Sequence, residues 1–417
     1  MKVRGFGAVA VLVAGCLGVV STGNAEVSVP ALIADQMVIQ RALPVHVWGK
    51  ADPGEAVVVT FQGMSARTLA DDYGRWSVYL PVAKVGGPYD LEIVGSNTIR
   101  VRDVLVGDVW VGSGQSNMGF TTNRVTNAAA ELAAANQPTI RLFHVPQSAS
   151  EYPLDDVKAS WAVCTPESVK SFSAVAYFFG RKIQEDQKVP IGLIDADFGG
   201  PAEAWTSMRA LGADASLMPL FHAWAVRMEE ETADVARDRM VQRLTEAAKA
   251  AGKPLPPPAP PRAGLALFGP DNLFNAMIAP LTAFRIRGVI WYQGESSSDS
   301  MRAPLYGRVF QTLIADWRAH WGEGDFPFLL VQLANFGGAD PSPWGMVRNA
   351  QLQTLSMRNT GMAVANDIGN PHDIHPRTSR TSGPGWRWSR GRSRTVRRSS
   401  TPGLRFVQPN QNRARSV

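Results

Sequence analysis

Apolar segments that alternate with helical segments are the feature that most constrains the fold of this chain. They begin at about Val104 and extend to about Gly369. The strand candidates are VLVGDVWV, PIGLIDADF, IRGVIWYQG, FPFLLVQLANF and GMAVANDIG, and the helical segments include SAVAYFFGRKIQED and PLYGRVFQTLIADWRAHW. Strands that are apolar throughout are typical of parallel sheets buried on both faces. We therefore predict an α/β domain over residues 104–377, with helices covering both faces of a parallel sheet.

A different pattern precedes this domain. From Val27 to about Arg102, short segments alternate apolar and polar residues around turn signals such as DPGE. The pattern predicts a small β-sandwich domain over residues 26–103. Such a domain could be a carbohydrate-binding module or could serve packing alone, and we favour packing.

Two further segments organise the α/β domain. Residues 222–252 are rich in Ala, Glu, Lys and Arg, which predicts a long surface helix. Residues 253–262 are rich in proline and predict a stiff connector between the two halves of the domain.

The first 25 residues have a basic start, an apolar centre and small residues at the end, a pattern typical of a signal peptide. We expect cleavage after Ala25 and a periplasmic or secreted protein; LVAGC also fits a lipidation site at Cys16. No later apolar run is long enough to span a membrane. Cleavage after Ala25 leaves Cys164 as the only cysteine, which predicts no internal disulfide.

The charge of the chain is concentrated in its last segment. The net charge is +6, but residues 376–417 contain 11 arginines and no acidic residue, which leaves 31 basic and 36 acidic residues elsewhere. Arginine mixed with Ser, Thr, Gly and Trp is typical of GC-rich DNA read in a shifted frame. We interpret residues 378–417 as a frame-shifted, disordered tail. An arginine-rich tail that binds nucleic acid is the alternative, and we expect no nucleic-acid partner.

One serine lies directly after the first predicted strand of the α/β domain, within DVWVGSGQSNMGF (residues 108–120). Ligands of open parallel sheets collect beyond the carboxyl ends of the strands. We expect Ser116 at a helix N-terminus, where it could attack an acyl carbon while its own N–H helps to hold the oxyanion. The alternative is an ordinary N-cap serine.

The following strand ends carry groups that could assist such a serine. DFGGPAEAWTS supplies Gly199 and Gly200, and a glycine N–H there could be a second oxyanion donor. The alternative is that the two glycines form an ordinary tight turn. WYQGES supplies the amide of Gln293 and the carboxylate of Glu295. The alternative is a surface loop whose aromatic residues simply fill the core.

NDIGNPHDIHP supplies a general base. A serine hydroxyl is a poor nucleophile until an imidazole takes its proton, and a carboxylate must orient that ring. His375 is the candidate base and Asp373 is the nearest carboxylate. A metal held by His372 and His375 is disfavoured because no third ligand has metal spacing. The remaining histidines lie in the β-domain or lack this glycine-rich strand-end setting: His46, His144, His222 and His320.

The segments GQSNM, GGPAEAW, WYQGES and DIHP resemble the motifs of the sialate O-acetylesterase family, a branch of the SGNH-type hydrolases, in the same order. The resemblance covers roughly residues 27–377. It implies a flavodoxin-like three-layer SGNH hydrolase domain beside the β-sandwich, and a carbohydrate esterase that removes O-linked acetyl groups. It implies no metal and no organic cofactor.

By this resemblance Ser116 is the nucleophile and His375 the base. The oxyanion donors it implies are the N–H groups of Ser116 and Gly200 with the Gln293 side chain. The triad acid is Asp373 or Glu295, and this choice stays open. Ser297 stands where the motif more often has asparagine. Residues assigned to substrate binding are Gln115, Asn117 and Trp205.

Two alternatives to a sialate O-acetylesterase stay open. One is an esterase that acts on acetylated xylan or xyloglucan. The other is a non-catalytic sugar-binding relative, because the resemblance stops two residues after His375. We expect that break to leave the base loosely held, which lowers its effective molarity.

Overall fold

The computed structural model describes residues 26–250, 268–365, 368–377 and 405–407. The predicted signal peptide, the proline-rich connector (253–262) and all but three residues of the predicted tail (378–417) lie outside the described residues.

A large mixed sheet forms the centre of the molecule. Its strands after the N-terminal region are β7 (Thr98–Gly114), β8 (Gln137–His144), β9 (Trp161–Cys164), β10 (Ile191–Asp197), β11 (Gly288–Tyr292), β12 (Phe328–Val331), β13 (Thr360–Val364) and β14 (Arg405–Val407). They lie in the order β14-β13-β12-β11-β7-β10-β8-β9. The six inner strands are parallel to their neighbours, in the order β8, β10, β7, β11, β12 and β13. The two edge strands, β9 and β14, pair antiparallel. The predicted α/β class is confirmed; the sheet is mixed rather than purely parallel.

Helices pack on both faces of this sheet. The described α-helices are α1 (Ala128–Ala133), α2 (Pro166–Lys170), α3 (Ala174–Gln187), α4 (Met208–Gly212), α5 (Met218–Ala250), α6 (Tyr306–Trp321) and α7 (Pro341–Gln353); α3 lies on one face of the sheet, and α6 and α7 lie on the other. Successive side chains of a strand point to opposite faces, so Trp110 packs in the core beneath α3 while Val111 packs in the core beneath α6 and α7. The long helix predicted over 222–252 corresponds to α5. None of the described helices is both long enough and apolar enough to cross a membrane.

The N-terminal region contributes β1 (Val38–Gln40), β2 (Pro44–Lys50), β3 (Ala56–Phe61), β4 (Met64–Leu69), β5 (Arg75–Val82) and β6 (Gly86–Val94). β3 pairs with β4 and β6, and β6 pairs with β7, while β2 and β5 form a separate antiparallel pair. Alternate residues of β2, β3 and β5 are buried, as the alternating sequence predicts. The domain boundary predicted at 103/104 falls inside β7, which runs without interruption from this region into the central sheet.

Candidate active site

The carboxyl end of β7 is the point at which the order of the central sheet reverses. The chain places β8 and β10 on one side of β7, and β11, β12 and β13 on the other. In open α/β sheets, ligands bind in the crevice outside the strand ends at such a point. The loops that follow β7, β10 and β11 therefore meet at one edge.

A glycine allows this close approach. Gly114, the last residue of β7, has φ of +138°, and a Cβ atom there would lie 2.1 Å from the carbonyl oxygen of Tyr292. Only glycine fits such a position. The next residue, Gln115, donates its N–H to the Tyr292 carbonyl at 3.0 Å, which joins the ends of β7 and β11.

Ser116 lies in a tight turn directly after β7. The N–H groups of Met118 and Gly119 both donate to the Gln115 carbonyl and close this turn. Ser116 is exposed, whereas its neighbours Gln115 and Asn117 are buried. The predicted helix N-terminus is wrong, because the next α-helix, α1, begins only at Ala128. Any oxyanion donor here is a turn N–H rather than the first turn of a helix.

His375 meets this serine although 259 positions separate them. Its Nε2 lies 2.9 Å from the Ser116 Oγ, within hydrogen-bond reach. Its ring stacks against Phe120, with 6.2 Å between ring centroids and 23° between planes. Serine and imidazole are thus in the arrangement that proton transfer between them requires.

Asp373 is the carboxylate next to this imidazole. Its Oδ1 lies 3.5 Å from the His375 Nδ1 and also accepts the backbone N–H of His375 at 3.0 Å. That backbone hydrogen bond is the main reason why the pKa of Asp373 lies below its ordinary value, and the charges of His375 and Arg377 lower it further. Asp373 therefore stays ionised beside the ring.

Glu295 does not contact the imidazole in this structure. Its Oε1 accepts a hydrogen bond from the Nδ2 of Asn117, and its Oε2 is buried without a hydrogen-bond partner among the described residues. Burial raises the pKa of Glu295 because the charged form loses its hydration. The two carboxylates left open by the sequence thus occupy opposite electrostatic environments.

The candidate oxyanion donors differ in how they are engaged. Among the described residues, no acceptor is found for the backbone N–H of Ser116 or of Gly200. The Gln293 side chain is fully buried, and its Nε2 donates to the Gly200 carbonyl at 3.2 Å and to the Ser297 Oγ at 3.0 Å. Its amide therefore supports the loop after β10 rather than facing an incoming oxyanion.

Comparison with known proteins identifies the family. A family model described as "Carbohydrate esterase, sialic acid-specific acetylesterase" matches residues 265–388. Mouse sialate O-acetylesterase (Mus musculus) is 34% identical over 378 residues, which cover 80% of this chain and 67% of that protein. The chain belongs to the sialate O-acetylesterase family. The human sialate O-acetylesterase (Homo sapiens) is 33% identical over 394 residues, covering 84% of this chain and 67% of that protein.

A solved structure agrees with this assignment. A carbohydrate acetylesterase from Xanthomonas citri superposes with a TM-score of 0.71 at 35% sequence identity, covering 85% of this chain and 72% of that chain. Membership of the sialate O-acetylesterase family makes this protein a carboxylic ester hydrolase, as predicted.

The three residues assigned to substrate binding are all buried in this member of the family. The Trp205 ring is fully buried and packs edge-on against Trp291, with 6.0 Å between centroids. The Gln115 Oε1 accepts the N–H groups of Gly294 and Ser296 and so holds the loop after β11. The Asn117 Nδ2 donates a hydrogen bond to Glu295. The geometry therefore does not support direct substrate contact by any of these three side chains.

The segment that carries His375, the candidate base, is held by hydrogen bonds. We call residues 371–377 the base loop. The Gly337 N–H donates to the Pro371 carbonyl at 3.2 Å, and the Asn117 Nδ2 donates to the Ile374 carbonyl at 3.2 Å. The N–H and hydroxyl of Thr126 both approach the Arg377 carbonyl, at 3.2 and 3.4 Å. The expectation of a base without support is therefore wrong for the described residues, because segments earlier in the chain hold it.

A second cluster of titratable groups lies at the same sheet edge, and sequence analysis missed it. Asp195 and Asp197 are both buried on β10, and His144 lies beside Asp195 at the end of β8, with its Nδ1 3.4 Å from the Asp195 Oδ2. Within the described part of the chain, these are the only three His, Cys, Asp or Glu side chains close enough to share a metal ion; the HDIH segment forms no such group. Two aspartates at alternate positions of an apolar strand were the available signal.

The protonation of this cluster follows from burial. Burial, with the Asp195 carboxylate as neighbour, raises the pKa of Asp197 to about 8. The hydrogen bond to Asp195 raises the pKa of His144. The Asp197 carboxylate lies against the tight turn that contains Ser116, because a Cβ atom on Gly119 would fall 1.9 Å from its Oδ1.

Proposed function

We propose that this chain removes O-linked acetyl groups from carbohydrates, with Ser116 as nucleophile, His375 as general base and Asp373 as the orienting acid. The observation that carries the proposal is the 2.9 Å approach of the His375 Nε2 to the Ser116 Oγ. Family membership supplies the class of reaction, and this geometry supplies residues suited to perform it.

The reaction would proceed through an acyl-enzyme. The His375 Nε2 accepts the hydroxyl proton as the Ser116 Oγ attacks the acetyl carbonyl carbon, and Asp373 holds the ring through its Nδ1. The N–H groups of Ser116 and Gly200 are the proposed donors to the oxyanion. The bond between the acetyl carbon and the sugar oxygen then breaks, and His375 returns the proton to that oxygen, so the sugar leaves with a free hydroxyl. Water, activated by the same imidazole, hydrolyses the acetyl-serine and regenerates the enzyme.

Asp373 is the better candidate for the acid of the triad. An acid partner must approach the Nδ1 and carry a negative charge when the imidazolium forms. Asp373 satisfies both conditions, with 3.5 Å to the Nδ1 and a lowered pKa. Glu295 bonds to Asn117 instead, and burial favours its neutral form by raising its pKa.

We further propose an O-acetylated sialic acid as substrate, because the matched family description and the mouse and human relatives carry that specificity in their names. The xylan or xyloglucan alternative shares the chemistry. We propose further that residues 1–25 direct export and that the N-terminal region is a β-sandwich. We also propose that the α/β domain is of the SGNH type and that the tail is frame-shifted. Mass spectrometry of the protein isolated from its host tests export. Glu26 is the expected first residue, a lipidated Cys16 would change the site of cleavage, and a retained residue 1 would contradict export.

Hydrolysis of p-nitrophenyl acetate by the wild type, Ser116→Ala and the surface control Ser65→Ala tests the catalytic proposal. Ser65 is an exposed serine on β4, remote in sequence from the site. We expect Ser65→Ala to match the wild type and Ser116→Ala to lose about 1000-fold or more in kcat, since it removes the nucleophile. Equal rates for the wild type and Ser116→Ala would refute the proposal and favour the sugar-binding alternative.

Acetate release then discriminates between substrates. The wild type is incubated with O-acetylated sialic acid and, separately, with acetylated xylan fragments, and Ser116→Ala serves as the blank for each. We expect the higher kcat/KM with the sialic acid. A preference for xylan fragments would leave the mechanism intact and replace the substrate.

A further inference from the structure

We propose that Asn117 and Glu295 act together as a positioning pair that fixes the peptide group before His375, so that the imidazole reaches Ser116. This inference rests on the proposed function, because it assigns a role within the same site. In this proposed role neither side chain contacts the substrate, and both act through the base loop.

Asn117 joins three separate segments of the chain. It follows Ser116 directly and is 4% exposed. Its Nδ2 carries two hydrogens: one is donated to the Glu295 Oε1 after β11, and the other to the Ile374 carbonyl at 3.2 Å in the base loop. One buried amide therefore connects the turn of the nucleophile to the loop of the base.

The Ile374 carbonyl is a sensitive place for such a contact. It belongs to the same peptide group as the His375 N–H, and that N–H donates to the Asp373 Oδ1 at 3.0 Å. Both polar atoms of this peptide group are thus bound, the oxygen by Asn117 and the nitrogen by Asp373. A planar peptide held at both ends fixes the position and direction from which the His375 side chain extends.

Glu295 determines which way the Asn117 amide points. A carboxylate oxygen and a backbone carbonyl both accept hydrogen bonds, so only the Nδ2 of Asn117, not its Oδ1, can satisfy the two together. Only one oxygen of Glu295 is used in this way, since its Oε2 has no hydrogen-bond partner among the described residues. The role needs an acceptor at Oε1 and does not need a negative charge, which separates it from the role of a triad acid.

Substituted proteins test this distinction with p-nitrophenyl acetate as substrate. We expect Asn117→Ala and Glu295→Ala each to lose about 10- to 100-fold in kcat with little change in KM, because a misplaced base slows chemistry without affecting binding. We expect Glu295→Gln, which keeps an oxygen acceptor, to stay within about 3-fold of the wild type. The double alanine variant should lose no more activity than the less active of the two single variants, because the pair acts as one unit.

A matched control separates the pair from its surroundings. Asn123 lies in the same segment and is exposed. Within the part of the chain that the structure describes, its side-chain oxygen accepts only a surface hydrogen bond from the Thr121 hydroxyl. Asn123→Ala should match the wild type. Labelling of Ser116 by diethyl p-nitrophenyl phosphate should proceed to one p-nitrophenol per chain in Asn117→Ala and in Glu295→Ala, but more slowly than in the wild type. A partly unfolded protein would instead stop short of that end point.

Three results would overturn the inference while the wild type is active and Ser116→Ala is not. Wild-type kcat in Asn117→Ala would show that the contact does not matter. If kcat in Glu295→Gln were as low as in Glu295→Ala, the negative charge of Glu295 would be required, as it is for a triad acid. A reduced labelling end point in both alanine variants would show a role in folding alone. An inactive wild type would instead refute the proposed function itself.

Discussion

Replacing Asp197 by asparagine should remove much of the pH dependence of folding stability. The Asp197 side chain is buried beside Asp195, and its pKa is raised to about 8 from 3.8. Between pH 4 and pH 8 the native state therefore holds a proton that the unfolded state has released. Stability must fall as pH rises through this window, by up to about 6 kcal/mol at about 1.4 kcal/mol per pKa unit. An asparagine side chain cannot ionise, and its amide can donate towards Asp195 as the protonated acid does.

Urea denaturation followed by tryptophan fluorescence at pH 5 and pH 8 measures this difference. Glu323, whose pKa burial raises to about 7, makes stability fall as pH rises in both proteins alike. The pKa of His144 is raised by Asp195 and Asp197, so the comparison between wild type and Asp197→Asn isolates the cluster of these three side chains. The exposed Asp72→Asn serves as control and should keep the wild-type dependence. The reasoning is refuted if Asp197→Asn shows the same change between the two pH values as the wild type, or if the wild type is more stable at pH 8.

Two further substitutions test the charge pairs of the structure. Asp373→Asn should lower kcat on p-nitrophenyl acetate by about 100-fold or more with KM preserved, because the imidazolium loses its counter-charge; a kcat within about 3-fold of the wild type would contradict the role of Asp373. Arg302→Ala should cost about 3–5 kcal/mol in urea unfolding, because it leaves buried Glu203 without the Arg302 Nε at 2.7 Å. Adding Glu203→Gln should restore part of that loss, and a cost below about 1 kcal/mol would show that the pair is not needed.

The meeting of Ser116 and His375 could be predicted because it depends on topology. Both lie beyond the carboxyl ends of strands that the apolar pattern identifies, and parallel strands bring those ends to one edge. No knowledge of the side-chain packing was required. The antiparallel edges formed by β9 and β14 could not be predicted, because such pairings join segments whose sequences carry no sign of one another.

The roles of the neighbouring amides depend on packing and could not be predicted. Asn117 and Gln293 are next to the reactive groups in sequence, which suggested contact with substrate or oxyanion. Their amides instead bind the Ile374 and Gly200 carbonyls, in loops whose paths the sequence does not specify. The expected helix after Ser116 failed for a related reason. The segment closes on the Gln115 carbonyl as a tight turn, and Gly119 fits there only because it has no side chain to meet Asp197.

The environments of the two site carboxylates give them different capacities, and this difference supports the division of roles between them. A carboxylate that stabilises an imidazolium must be charged at the moment the ring becomes charged. The hydrogen bond from the His375 backbone N–H keeps the pKa of Asp373 low, so that charge is available. Burial raises the pKa of Glu295, so charging it would cost free energy, whereas accepting one hydrogen bond from Asn117 requires no charge. Environments that push the pKa values of two acids apart are how one site obtains two functions from the same chemical group.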